Sequence, residues 1–208
     1  MLIAIVNVIV AQMLPSGVVK GGTALKLRVG ERGSRFTPDL DAARGATQTV
    51  DDYIREFENR LATGWHGFTA TVVRRAPADP ENVPADYVMQ PFDLKVSYRG
   101  KSILTVTFEL GHDEIGSTAT PTYALADDLA DDLADIIVAL GFPRPEPVPV
   151  LAVEFQVAQK LHACTTPERG GGNARSHDLV DLQILLEPSH STRPASTTSA
   201  VGCSRHDE

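Results

Sequence analysis

The chain has 208 residues, of which 42% are hydrophobic and 22% charged, values that exclude both wholesale disorder and a membrane bundle. That length supplies one well-buried core, or one core with a small helical lobe against it, and leaves a second full domain cramped. A formal net charge of -8 excludes a protein that coats nucleic acid nonspecifically, because such binding draws on massed Lys and Arg; any RNA must meet a local basic patch.

Residues 1–14 are almost wholly apolar. They lack the basic start and small-residue cleavage pattern of a signal peptide and are too short to span a bilayer, so they predict a buried helix before the first strand. Residues 17–20 predict a short buried strand, broken by Gly21-Gly22, and residues 23–28 a helix. The polar loop 35–41 follows; with extended backbone there, Leu40 points one way and Asp39 and Asp41 the other. Val50, Ile54, Phe57 and Leu61 recur at helical spacing, and Asp51 and Asp52 favour the positive end of that helix. Residues 68–73 alternate as a strand, and a proline-rich loop covers 76–85. The clearest hairpin comes next: Phe92, Leu94, Val96 and Tyr98 alternate with polar residues, Arg99-Gly100-Lys101 turns, and Leu104, Val106, Phe108 and Leu110 alternate again, which leaves Glu109 on the polar face.

The four-residue repeat over 125–135 sets leucines on one helical stripe and aspartates on another, with Gly141 able to close the helix. Pro143, Pro145, Pro147 and Pro149 then predict an extended connector. Two helices follow, at about residues 153–164 and 176–186, joined by a loop holding Gly170-Gly171-Gly172. Beyond Glu187, Ser, Thr and Pro rise and periodicity stops, which predicts a disordered tail over 188–208. The expected organisation is a core over 1–142, a connector over 143–150 and a helical C-terminal part over 151–187. Cys164 and Cys203 are far apart and have no partner at metal-ligand spacing, so neither structural zinc nor a disulfide framework is expected, and a reducing cytoplasm fits.

Four features carry chemistry. Gly21-Gly22 at a strand-to-helix turn lets backbone amides approach phosphate oxygens, although an isolated pair is more often a packing turn. Asp39 and Asp41 can jointly hold magnesium beside a triphosphate, although D-x-D is also common in solvated loops. Glu109 is a candidate third carboxylate, with an exposed edge glutamate as the plainer account. Lys160 flanks a stripe of Val153, Val157, Leu161 and Cys164, where a triphosphate could pair with it; a surface lysine would look the same in isolation. Arg175, Asp178 and Asp181 follow at one-turn intervals, as in a local helix-surface ion pair. Lys26, Arg28, Arg32, Arg35, Arg74 and Arg75 are the nearest approach to a basic patch for RNA.

Taken together, Lys20-Gly21-Gly22-Thr23-Ala24-Leu25-Lys26-Leu27-Arg28, Arg35-Phe36-Thr37-Pro38-Asp39-Leu40-Asp41, residues 154–163 around Lys160 and the Arg175-x-x-Asp178-x-x-Asp181 helix resemble, in this order, the AbiEii nucleotidyltransferase toxins and their mycobacterial Men-type relatives. The resemblance implies an α/β (α+β) chain with a DNA-polymerase-β-like nucleotidyltransferase fold: a small mixed sheet flanked by helices, with a helical C-terminal region. It implies a metal-dependent enzyme that moves a nucleotide from a nucleoside triphosphate to RNA, the 3′ end of tRNA being the expected acceptor, and so blocks translation. A cognate antitoxin is the implied partner. Residue by residue, Gly21, Gly22, Thr23 and Thr37 would border the triphosphate, Asp39 and Asp41 would hold magnesium with Glu109 third, Lys160 would contact a phosphate, and Asp178 would complete the site. Thr37 stands where many relatives have Ser, which keeps a hydroxyl. The N-terminal helical region is shorter than usual for the family, and the family's closing helices are not evident after Leu186. Two alternatives stay open: a degenerate relative that binds nucleotide or a partner without transfer, and a kinase-like phosphotransferase acting on a protein or on its own Thr37.

Overall fold

The computed structural model describes residues 2–30, 33–78, 88–113, 116–125, 135–165 and 175–187. Helix α1 (Leu2–Ala11) carries apolar side chains at every position except Asn7 and is buried nearly all round, as a core helix must be. It leads into β1 (Val18–Lys20), α2 (Gly21–Val29) and β2 (Leu40–Ala43). α2 therefore begins at the glycines themselves rather than after them, because Gly21 turns the chain in a single residue.

α3 (Val50–Thr63) starts at Thr49, whose hydroxyl oxygen accepts from the Asp52 amide at 3.1 Å. Its buried stripe is Tyr53, Phe57 and Leu61; the aromatic pair packs on Phe108, so Tyr53 joins the residues that periodicity identified. β3 (Phe68–Arg74), β4 (Gln90–Tyr98) and β5 (Lys101–Gly111) form an antiparallel meander. Arg99 and Gly100 both have positive φ at the β4–β5 turn, the backbone of a two-residue hairpin loop whose twist matches its strands. The chain continues through β6 (Thr122–Ala124), α4 (Asp135–Ala139), β7 (Val148–Val150), α5 (Val153–Thr165) and α6 (Ser176–Leu186). The end of the segment read as a connector thus enters the sheet as β7. Most of the expected leucine–aspartate helix, the Gly170-Gly171-Gly172 loop, the tail after Glu187 and much of the 76–85 loop lie outside the described residues.

One mixed sheet organises these elements, in the order β3-β4-β5-β2-β1-β7-β6. β2 runs antiparallel to β1 and parallel to β5, and β1 runs parallel to β7. The main core lies between the sheet and helices α1 and α3. A second cluster joins Leu25 and Val29 of α2 to Leu185 of α6, with Val153 and Val157 of α5 against it. α2 is thereby clamped between the central strands and the C-terminal helix pair. Among the described residues, no helix is long and apolar enough to cross a membrane.

Candidate active site

Gly21 adopts φ 64°, a left-handed conformation that costs a residue with a side chain about 1–2 kcal/mol. A second constraint is steric. A Cβ on Gly21 would overlap the Asp41 carboxylate, and one on Gly22 would overlap Thr37 Oγ1 and stand 3.3 Å from Arg35 Nη2. The glycine pair is the floor against which Asp41, Thr37 and Arg35 rest. Gly21→Ala is accordingly expected to lose about 1–3 kcal/mol of stability and to displace Asp41; urea unfolding checks the first, and an unchanged midpoint would refute it.

Thr23 donates its hydroxyl to the Asp39 carbonyl at 2.6 Å, and Asn7 of α1 donates its side-chain amide to the Pro38 carbonyl at 3.5 Å. The strand entry carrying the aspartates is therefore held from two helices. Lys20 lies opposite Asp41 across β1 and β2, and Asp41 lies opposite Glu109 across β2 and β5. Residues facing one another on neighbouring strands share a sheet face, so Lys20, Asp41 and Glu109 form one row, with Asp39 two residues before Asp41 on the same side. Leu40, between the aspartates, is fully buried on the opposite side.

Burial and then the Glu109 carboxylate, with Asp39 adding to them, raise the Asp41 pKa to about 7, although Lys20 and Lys160 pull it down. Glu109 is raised by burial and by Asp39, against Lys20 and Arg75. Among the described residues, no three His, Cys, Asp or Glu side chains already stand as a metal-holding group. What the row does show is negative charge concentrated where it is costly.

Lys160 of α5 is 6% exposed, and its ammonium donates to Asp178 Oδ1 at 3.0 Å and to Asp181 Oδ2 at 2.5 Å. Asp181, wholly buried, also receives Arg35 through two parallel bonds, Nε to Oδ1 at 3.0 Å and Nη2 to Oδ2 at 3.1 Å. A single carboxylate on α6 thus holds both the lysine and the loop that precedes Thr37. The buried face of α5 is only in part the apolar stripe expected: Val153 and Val157 pack toward α2 and α6, but Gln156 and Lys160 are the fully buried side chains and Leu161 is half exposed, because this helix also turns a polar face toward the cleft. Gln156 donates Nε2 to the Gly21 carbonyl at 2.9 Å, and its Oε1 is buried without a partner.

Between these elements lies a cleft of about 510 Å³, a volume suited to a small-molecule ligand. Lys20, Gly21 and Asp41 line one side; Gln156, Gln159 and Lys160 of α5, with Arg175 and Asp178, line the other. Asp41, Lys160 and Asp178 are therefore brought to one cavity; Asp39, Glu109, Gly22, Thr23 and Thr37 are not among the residues that line it, although Glu109 adjoins Asp41 in the sheet and Gly22 adjoins Gly21. Among the described residues, the basic side chains considered for RNA are engaged within the chain or buried. Arg35 is bonded to Asp181, and Lys26 is buried. Arg28 donates to the Leu151 carbonyl, while Arg74 and Arg75 pair with Asp51 and Asp93. Arg32 lies outside the described residues. Sequence reasoning gave no role to Lys20 or Gln156, although both lie within the motifs quoted above, and it missed the Arg35–Asp181 bond.

Compared with known proteins, residues 6–207 match the family described as nucleotidyl transferase AbiEii toxin, type IV TA system. No curated protein matches the chain. Two solved structures from Helicobacter pylori resemble it at 16% identity. JHP933 has a TM-score of 0.46, with 88% of this chain and 62% of that one covered. The other, provisionally described as a nucleotidyltransferase, has a TM-score of 0.48, with 88% and 64% covered. The chain thus spans less than two thirds of the length of either.

Proposed function

The chain belongs to the AbiEii nucleotidyltransferase toxin family of type IV toxin–antitoxin systems, and from that premise we propose that it transfers a nucleotide from a nucleoside triphosphate to RNA, with the 3′ end of tRNA as acceptor and arrest of translation as the outcome. Its seven-stranded mixed sheet flanked by helices, completed by a C-terminal helix pair, is of the polymerase-β-like nucleotidyltransferase type. The observation that supports the reaction is the meeting of Asp41 and Lys160 at one cleft, with Glu109 beside Asp41 in the sheet.

In the proposed reaction the acceptor hydroxyl oxygen forms a bond to the α-phosphorus, the bond from that phosphorus to the bridging oxygen breaks, and pyrophosphate leaves. Asp39 and Asp41 would hold magnesium, with Glu109 alongside. Such a cation takes one or two carboxylates and completes its shell from water and substrate phosphates, so this donor set suits it without a third protein ligand in place. When bound, magnesium neutralises charge developing on the phosphates. Glu109, beside Asp41 in the sheet, would be the third carboxylate toward the cation, and the proton of the attacking hydroxyl passes to water. Lys160 turns from Asp178 to the leaving pyrophosphate while keeping Asp181, and Gly21, Gly22, Thr23 and Thr37 shape the phosphate side of the cleft. A cognate antitoxin in the same cytoplasm would restrain the activity.

Incubation with magnesium, total tRNA and each of the four nucleoside triphosphates labelled at the α-phosphate is expected to label RNA. Label delivered to protein from the γ-phosphate alone would instead favour a kinase acting on Thr37. Nucleotide-induced thermal stabilisation without any labelled RNA would leave a binding module and end the transfer reading.

A further inference from the structure

We propose that Gln156 is a positioning residue that locks the peptide between Gly21 and Gly22, so that the first turn of α2 presents its amides to the phosphates of the bound nucleotide; this rests on reading the cleft as a nucleotide site. The carbonyl of Gly21 and the amide of Gly22 belong to one planar trans peptide and point opposite ways, so holding the carbonyl against α5 fixes where the amide points. Gly21 is the residue least able to hold that orientation by itself, because it has no Cβ and sits at φ 64°, and Asp41 leaves no space for one. Gln156 supplies the missing restraint with a 2.9 Å hydrogen bond from a helix that also packs its apolar side chains against α2.

The other half of the same side-chain amide indicates that packing is not its purpose. Gln156 is 1% exposed, yet its Oε1 meets no donor. A buried acceptor without a partner opposes folding, and an apolar side chain of the same length would fill the space without that penalty. Gln156 also lies four residues before Lys160, on the same helix face and the same cleft wall, so the residue that orients the cradle and the lysine assigned to the phosphates move as one body.

The test is the Gln156→Met variant. It removes the donor to Gly21 and the unpartnered acceptor together, so the melting temperature is expected to stay within a few degrees of wild type. Affinity for magnesium nucleoside triphosphate, measured by calorimetric titration with each of the four nucleotides, is expected to fall about tenfold, the effect of one misdirected hydrogen bond to an anion. In the transfer assay the nucleotide KM should rise while the KM for RNA holds. Gln156→Glu at pH 8, which sets a carboxylate against the Gly21 carbonyl, should lose more affinity. Wild-type affinity in Gln156→Met overturns the proposal; should that variant not fold, wild-type affinity in Gln156→Glu does so. Wild-type protein that binds nucleotide without transferring it defeats the enzymatic reading alone, whereas wild-type protein that binds none defeats both.

Discussion

Asp41→Asn is expected to lower nucleotide transfer by about a thousandfold or more and, at the same time, to make the magnesium-free protein more stable at pH 8. Both effects have one origin. Asp41 is confined between the Gly21 backbone and the Glu109 strand, where burial and the Glu109 carboxylate disfavour its ionised form and push its pKa up to about 7. A carboxyl group whose folded pKa is raised contributes stability below its unfolded pKa and loses it as pH climbs toward the folded value. For Asp41 that window runs from the ordinary 3.8 to about 7. Above it, the asparagine variant is spared the burial of a charge. The gain should be on the order of 1–2 kcal/mol once solvent screening at this partly buried position is allowed for. At pH 4 wild type carries a neutral carboxyl there, and the two proteins should unfold alike. Magnesium should raise the wild-type melting temperature at pH 8 and leave the variant unmoved. A variant less stable than wild type at pH 8, or one that still transfers nucleotide, contradicts this account.

The largest loss of stability is expected from Asp181→Ala. Asp181 is wholly buried and receives three hydrogen bonds from two cations, Arg35 and Lys160. Its removal leaves Arg35 without a carboxylate and Lys160 with Asp178 alone, and breaking a buried pair from one side costs about 3–5 kcal/mol. Asp178→Ala is the control: Asp178 is more exposed, and Lys160 keeps Asp181 in its absence, so the loss should be about 1 kcal/mol. Guanidinium unfolding of the two variants gives the comparison, and an Asp178→Ala loss equal to that of Asp181→Ala would refute the hierarchy. A double-mutant cycle between Arg35→Met and Asp181→Leu should show coupling above about 1 kcal/mol.

Local pattern made much of this molecule legible. Alternation over 92–110 marked the β4–β5 hairpin and put Glu109 on its polar face, and the D-x-D spacing put Asp39 and Asp41 on one side of an extended segment. Periodicity states which face a side chain occupies; it does not name the strand next door. The pairing of β2 with β5, which seats Glu109 beside Asp41, and with β1, which adds Lys20 to the row, is nonlocal and left no trace in residue spacing. The same holds for Arg35 and Asp181, which lie 146 positions apart. Asp181 looked like a surface partner of its own helix because i and i+3 neighbours suffice to explain such a pattern. On α5, hydrophobicity found only half of the buried surface: Val153 and Val157 pack against α2 and α6, but the fully buried side chains are the polar Gln156 and Lys160, which face a charged cleft.

The sheet order makes the sequence of synthesis matter. β1 is bonded on one side to β2, some twenty residues later, and on the other to β7, where Val19 meets Val150. Gly21 then waits for Gln156, and Arg35 for Asp181. A chain still emerging from the ribosome can own every acidic residue of the row before it has the lysine, the glutamine or the last helix that organise them. Such long-range closure slows folding, and it also means that a nascent or prematurely terminated copy carries only an unassembled half of the machinery.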